Sequence, residues 1–160
     1  MAFVDFEGKA KYAKIFEHNR DMGDNLEDGD QKNKIVSEQG HYVLYVGITP
    51  ETKKQMIAAG VPNTGMVGQL FKEDAEGNIF YKCKRPHFNP RINKGEGKLM
   101  GPPVVMDAEN NGWDDQVPVG DLSDLKVRVE VWDHKIVTLH AVKVLYLVEF
   151  VPDDTGLSGF

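Results

Sequence analysis

The residues best suited to binding chemistry lie together in segment 79–88, which reads IFYKCKRPHF. If this segment is a strand, alternation puts Phe80, Lys82 and Lys84 on one face and Tyr81 on the other. An aromatic ring beside two cations suits single-stranded nucleic acid, because any base can stack on the ring while the cations contact phosphates. We therefore interpret this face as a candidate nucleic-acid-binding surface.

Two further segments repeat this combination of rings and cations. Residues 10–17 and 125–132 both alternate as strands. A single face of this kind is more often merely solvated, so the hypothesis depends on its recurrence in three strands. The residues concerned are Tyr12, Lys14 and Phe16 in the first segment, and Lys126, Arg128 and Trp132 in the second.

Charge is segregated along the chain. The formal net charge of the 160 residues is −6, which by itself argues against a nucleic-acid partner. Between residues 79 and 100, however, six cations stand against the single anion Glu96, a local balance of +5. The acidic residues gather instead in 21–30 and 107–115. Binding depends on where the cations lie, so the basic segment is compatible with a nucleic-acid partner.

Period-two alternation predicts a chain made largely of short strands. The one predicted helix spans residues 50–59, with Thr49 as its N-cap, Pro50 in its first turn and Gly60 closing it. Segment 18–39 is predicted to be a long loop, either a clamp over a binding groove or an inert insertion. The predicted strands cover residues 10–17, 41–48, 69–72, 78–85, 104–106, 125–132 and 136–151.

These elements predict an all-β protein: an OB-fold-like, partly open barrel of about five or six strands with one short helix and long loops. The length fits one domain, residues 1–151, followed by a short flexible tail at 152–160. The lone Cys83 excludes an intrachain disulfide and is predicted to be buried in its strand. No apolar run reaches the roughly 20 residues that span a bilayer, and we predict no signal peptide.

Motifs for catalysis and metal binding are weak. The five histidines lack the spacing of metal ligands, and neither a glycine-rich phosphate loop nor a nucleophile elbow occurs. An acidic loop with Asp107, Glu109, Asp114 and Asp115 could hold Mg²⁺, but such loops are common and no ligand set can be deduced. Trp113 is predicted to anchor that loop. We therefore predict a protein that is not an enzyme and uses no metal or cofactor.

The second half of the chain resembles the single-stranded-DNA-binding proteins of tailed bacteriophages. The matching segments are IFYKCKRPHF, PVVMDAENN, VPVGDLSDLKVRVEVW and VTLHAVKVLYLVEF, together with the terminal Phe160. The resemblance implies an OB-fold that coats exposed single strands during phage DNA replication and recombination, in the cytoplasm of the infected host and without a cofactor. Family members commonly end in a long acidic tail whose terminal aromatic residue recruits replication proteins. Here only Asp153 and Asp154 precede the last residues, which puts docking of replication proteins through Phe160 in doubt.

The predicted nucleic-acid site joins the three strand faces to the adjacent basic segment. The alternative is a small β-barrel protein that assembles in a virion through its strand edges. The sequence leaves the oligomeric state, the site size and the preference for RNA or DNA open. The predicted site residues are Tyr12, Lys14, Phe16, Phe80, Lys82, Lys84, Arg85, Phe88, Arg91, Lys126, Arg128 and Trp132.

Overall fold

Eleven strands and one helix make up the computed structural model, which describes residues 2–21, 40–65, 68–89, 94–133 and 135–149. The helix, α1, spans Pro50–Ala58, and a 3-10 turn covers Glu17–Asn19. The strands are β1 (Ala2–Lys14), β2 (His41–Ile48), β3 (Thr64–Gly65), β4 (Gly68–Gln69), β5 (Phe71–Glu73), β6 (Ile79–Pro86), β7 (Phe88–Asn89), β8 (Lys98–Leu99), β9 (Val104–Asp107), β10 (Asp124–Trp132) and β11 (Ile136–Tyr146).

Seven of these strands form one mixed sheet in the order β5-β6-β2-β1-β10-β11-β9. Its ladders are antiparallel except for the parallel pair of β11 and β9. The sheet curls without closing, and Arg85 on β6 reaches across to donate a hydrogen bond to the carbonyl of Leu139 on β11. The predicted all-β, OB-like, partly open architecture with one short helix is confirmed. The seven strands of the main sheet correspond to the seven predicted strand segments, although the barrel was expected to contain about five or six.

The clearest sequence patterns are reproduced in the structure. Alternate aliphatic residues of β10, from Leu125 to Val131, are buried against the core, while Lys126 points to solvent. β2 has the predicted bounds. Helix α1 begins after Thr49, whose side-chain oxygen accepts a hydrogen bond from the backbone N–H of Thr52. Local sequence signals therefore determine these three elements.

The two longest strands have different bounds from those predicted. β1 extends to the N-terminal end of the described chain, because Val4 and Phe6 alternate inward and add to the core. β11 ends before the predicted residue 151. There the hydroxyl oxygen of Ser123 accepts a hydrogen bond from the backbone N–H of Val148 at 2.8 Å. A side chain thus replaces the strand ladder at this point.

A bulge in β1 changes which residues reach the surface. The register against β2 shifts between Lys11 and Lys14, where Tyr12 has a φ of 53°. Beyond the bulge Phe16 enters the core with only 4% of its surface exposed. The prediction that Phe16 shares an exposed face with Tyr12 and Lys14 is therefore wrong, because strict alternation fails at a bulge.

The predicted strands 69–72 and 78–85 form an antiparallel hairpin, β5 and β6. Asp74 closes its turn, because one carboxylate oxygen accepts hydrogen bonds from the backbone N–H groups of Glu76 and Asn78, both at 2.9 Å. Gly77 follows with a φ of 86°, a conformation that favours glycine. The turn fixes the start of β6, the strand that carries the candidate chemistry.

The hydroxyl of Tyr81, on the inner face of β6, is buried and has no hydrogen-bond partner among the described residues. Its ring packs against Phe6 and Phe71, with centroids 5.8 and 4.6 Å away. A buried hydroxyl without a partner costs free energy. Tyr81→Phe should therefore raise the free energy of unfolding by about 1 kcal/mol, measured by chemical denaturation.

Tyr42 provides the matched control, because it is equally buried but its hydroxyl lies 2.7 Å from Nδ1 of His87. Burial lowers the pKa of His87 and raises the pKa of Tyr42 to about 12, so a neutral hydroxyl and a neutral imidazole share this hydrogen bond. Tyr42→Phe removes the hydroxyl and should lower the free energy of unfolding by about 1–3 kcal/mol. Equal losses in the two variants would mean that the Tyr81 hydroxyl also makes a stabilising hydrogen bond.

Candidate functional site

The outer face of β1, β2 and β6 carries three aromatic rings and three lysines on neighbouring strands. Cross-strand pairing puts Tyr45 between Lys11 and Lys82, and it puts Gly47 opposite Phe80. We call this group the aromatic–lysine patch. Its members are Tyr12, Tyr45, Phe80, Lys11, Lys82 and Lys84.

Lysine side chains lie over the rings of the patch. The ammonium of Lys11 is 4.6 Å from the centroid of Phe80 and 5.1 Å from that of Tyr12. The ammonium of Lys82 is 5.8 Å from the centroid of Tyr45, and the rings of Tyr12 and Tyr45 meet edge to face at 6.0 Å. These distances are within the range of cation–π attraction. The patch is therefore one connected cluster.

Phe80 is held against the sheet. A Cβ atom added at Gly47 would lie 3.4 Å from Cε1 of Phe80, so the ring rests against the backbone of β2. Phe80 is half-buried, whereas Tyr12 is 59% exposed. A supported ring loses little conformational entropy when a planar ligand stacks on it, which makes Phe80 the better platform of the two.

The lysines of the patch are not neutralised by neighbouring carboxylates. Lys11, Lys82 and Lys84 make no ion pair with Asp or Glu within the part of the chain that the structure describes. Burial, and then the charge of Lys82, hold the pKa of Lys84 below its usual value. Like charges crowded in this way are relieved when an anion approaches, so the patch favours a negatively charged ligand.

On the other half of the same outer face, two of the basic side chains are paired with carboxylates. Arg128 on β10 donates two hydrogen bonds to Asp5 on β1, at 2.7 and 2.9 Å. Lys9 pairs with Asp124 at 2.6 Å. We call this region of β1, β10 and β11 the paired half. Its ion pairs leave it less able than the patch to attract an anion as a whole.

Three of the predicted site residues lie in the paired half. Arg128 is engaged with Asp5, and its guanidinium also lies 5.4 Å from the ring of Phe3. Trp132 is 45% exposed at the end of β10, and its Nε1–H donates to a carboxylate oxygen of Glu130 at 3.3 Å. Lys126 is exposed. The structure does not bring these residues together with the aromatic–lysine patch.

Arg85 lies in the predicted strand, but its side chain serves the fold. Nε and Nη2 donate to the carbonyls of Gly101 and Met100, both at 2.9 Å, and Nη1 donates to the carbonyl of Leu139 at 3.2 Å. All three nitrogens of the guanidinium therefore have acceptors. The side chain links β6, β11 and the segment before β9, and its contact with phosphate stays a prediction.

The remaining predicted residues lie at the margins. Lys14 is exposed at the end of β1, opposite Val43. Phe88 is half-buried in β7, and its ring fills the space that a Cβ on Gly97 would need. Arg91 and Phe160 lie outside the described residues, as does most of the predicted loop 18–39.

Sequence reasoning missed two residues of the patch, Tyr45 and Lys11. Alternation in HYVLYVGI already separates Tyr45 from the buried Leu44 and Val46, so this ring could have been found in the same way as Phe80. Strict alternation in segment 10–17 predicts that Lys11 and Tyr12 lie on opposite faces. The bulge that brings both beside Phe80 has no signature in the sequence, because Tyr rarely adopts a positive φ.

The described residues contain no group of three or more His, Cys, Asp or Glu side chains arranged to hold a metal ion. In the acidic loop, one oxygen of Asp107 accepts hydrogen bonds from the backbone N–H groups of Glu109 and Asn111, both at 2.9 Å. Trp113 anchors this loop by donating to the carbonyl of Val117, as predicted.

In the described segments, no helix has both the length and the apolar character needed to cross a membrane.

The fold matches solved structures of two phage proteins. One is gp2.5, a single-stranded DNA binding protein encoded by bacteriophage T7, with a TM-score of 0.62 and 20% identity over 96% of this chain and 97% of that one. The other is the single-stranded DNA-binding protein from bacteriophage Enc34, in a C-terminal truncation, with a TM-score of 0.50 and 10% identity over 93% and 88%. No protein-family model and no curated protein matches the chain. The chain therefore has the fold of these phage proteins, as the resemblance predicted.

Proposed function

We propose that this protein, which shares its fold with two phage single-stranded-DNA-binding proteins, binds single-stranded DNA without sequence preference through the aromatic–lysine patch. The observation that carries the proposal is the grouping of three rings with three lysines that make no ion pair with any described carboxylate. Coating of exposed strands during phage DNA replication and recombination, in the cytoplasm of the infected host, is the role we infer.

In the proposed complex, bases stack on Phe80 and Tyr45 while the lysines contact phosphates. In the free protein, Lys11 lies over Phe80 and so covers part of the surface that a base would use. A base that stacks there displaces the ammonium of Lys11, which then has a phosphate to contact. The lysine thus exchanges a cation–π contact for an ion pair, and the ring stays partly covered in both states.

Selectivity for single strands follows from the same chemistry. Paired bases in a duplex hide their faces from a protein ring, whereas an unpaired base exposes both faces. The proposed contacts reach ring faces and phosphates, not the base edges that carry sequence information. We therefore propose tolerance of any base sequence and weak binding to duplex DNA.

The other parts of the chain have supporting roles in this proposal. We infer that the protein acts by binding alone, without catalysis. Residues 1–151 would form the binding domain and 152–160 a short tail. We also propose contact with replication proteins through Phe160, as the resemblance implies.

The proposal is tested by titration of a labelled oligo-dT at several salt concentrations, with a duplex of the same length as control. Three lysine–phosphate contacts on a single strand predict that log K falls against log salt with a slope of about −2. Replacing Lys82 and Lys84 with Gln should reduce that slope by more than half. Lys54→Gln, on the exposed surface of α1, is the matched control and should change the affinity little.

Absence of oligo-dT binding even at low salt would refute the proposal. Together with a fixed large oligomer in solution, that result would favour the alternative of a virion assembly protein. Binding to duplex as tight as to oligo-dT would leave a role for the cations but would contradict stacking.

A further inference from the structure

A second basic site lies on the paired half, outside the aromatic–lysine patch. The outer surfaces of β10 and β11 and the loop after β9 enclose an open cleft of about 240 Å³. This is roughly eight times the ~30 Å³ that a water molecule occupies in the liquid. We call it the lysine cleft. The lining residues that matter here are Lys126, Arg128, Lys143, Asp5, Met106 and Asn110.

The cations in this cleft are placed unfavourably for a protein without a ligand. Lys126 on β10 and Lys143 on β11 are directly opposite each other in the antiparallel ladder. Arg128 follows two residues along β10, on the same face. Like charges that face each other across a ladder destabilise a sheet, and an anion bound between the two lysines would relieve this repulsion.

Asp5, the one carboxylate that lines the cleft among the described residues, is already paired with Arg128. Asp5 accepts two hydrogen bonds from Arg128, and this contact is the main cause of its lowered pKa, with smaller contributions from the charges of Lys126 and Lys143. Glu7 lies opposite Lys126 in the ladder with β1, yet the two make no ion pair in the described part of the chain. The two lysines therefore remain available to a ligand.

We propose that the lysine cleft binds a phosphate group. Two ammonium groups from adjacent strands can contact different oxygens of one phosphate, and because Asp5 is paired with Arg128 the lining keeps an excess of positive charge. Met106 forms an apolar part of the wall and lowers the local dielectric, which strengthens this attraction.

The phosphate can come from two sources. β1 contributes Lys11 to the patch and Asp5 to the cleft, six residues apart, or ~20 Å along a strand. A DNA strand bound at the patch could follow β1 to the cleft, an extension that rests on the proposed function. A free phosphate-containing molecule is the other source, and it needs no DNA binding at all.

The test compares Lys126→Gln/Lys143→Gln with a control of equal charge, Lys54→Gln/Lys135→Gln, whose lysines are exposed elsewhere. Inorganic phosphate is first titrated into each protein and followed by the backbone amide shifts of residues 106, 126 and 143. These amides should shift in the wild type and the control but not in the cleft variant.

Oligo-dT of about four and about twelve nucleotides is then titrated, a range that spans the site sizes of OB-folds. If the strand supplies the phosphate, the cleft variant should bind the long oligonucleotide about tenfold more weakly, with a salt slope smaller by about 0.7 for the one phosphate lost, and the short one unchanged. Phosphate shifts without any effect on the long oligonucleotide assign the cleft to a free phosphate. A variant that behaves like the control in both titrations overturns the proposal.

This design separates the two hypotheses. If the wild type binds no oligonucleotide but its cleft amides respond to phosphate, the proposed function is refuted and phosphate binding by the lysine cleft is supported. If the protein binds both oligonucleotides and the double variant changes neither affinity nor phosphate response, phosphate binding by the cleft is refuted. DNA binding through the aromatic–lysine patch is then still supported. Thermal unfolding of each variant verifies that the fold is intact.

Discussion

Replacing both Phe80 and Tyr45 with Ala should weaken the binding of oligo-dT by roughly 30-fold or more. Removing an aromatic platform costs about 1–3 kcal/mol per stacked base, which is about 5- to 150-fold for each ring. The rings lie on paired strands, where Gly47 faces Phe80 and Tyr45 faces Lys82. Because neighbours share a ligand, the two single losses need not add, and the double-mutant cycle measures their coupling. Fluorescence anisotropy of the labelled oligonucleotide provides the affinities.

Phe3→Ala is the matched control for this experiment. Phe3 is an exposed ring on the same outer face, but it packs against His140 at 4.9 Å and lies beside Arg128. It belongs to the paired half, so its removal should change the affinity less than twofold. An equal loss of affinity for Phe3→Ala would indicate that bases stack on the paired half and not on the aromatic–lysine patch alone. No loss in any of the variants would exclude stacking as the source of affinity.

The fold was predictable where local sequence signals act alone. β2, α1 and β10 follow from alternation, an N-cap and a proline, and their bounds agree with the prediction to within a residue. The prediction failed where contacts between residues distant in the sequence set the end of a strand. β11 ends before Val148, whose backbone N–H donates its hydrogen bond to the hydroxyl oxygen of Ser123, 25 residues away. No local pattern contains that information.

The candidate site divides in the same way. Phe80, Lys82 and Lys84 lie on one outer face because β6 is regular, so alternation was sufficient. Phe16 was misplaced by the bulge at Tyr12, and Arg128 was expected to contact phosphate although its partner Asp5 lies 123 residues away. Alternation finds the outward residues, but only pairing across strands decides which charges remain available to a ligand.

The largest effect on stability should come from Arg85, which the sequence assigned to DNA binding. Arg85→Gln removes a guanidinium that donates to three backbone carbonyls, those of Gly101, Met100 and Leu139. Hydrogen bonds from a charged donor contribute about 1.5–3 kcal/mol each, and carbonyls left without a donor add a desolvation cost. We expect the free energy of unfolding to fall by about 3 kcal/mol or more, measured by urea denaturation. Arg85→Lys should recover only part of this loss, because one ammonium cannot reproduce the planar set of N–H donors of a guanidinium.

Lys84, the preceding residue in β6, is the control that separates stability from binding. Its side chain lies on the outer face, so Lys84→Gln should change the free energy of unfolding by less than about 0.5 kcal/mol while weakening oligonucleotide binding. Arg85→Gln should do the reverse under conditions in which it is folded. If Arg85→Gln kept its stability and lost affinity, the guanidinium would have to leave its carbonyls for phosphate, and the assignment made from the sequence would be correct. The comparison of Arg85 with Lys84 therefore tests which basic residue of β6 stabilises the fold through backbone carbonyls and which one binds phosphate.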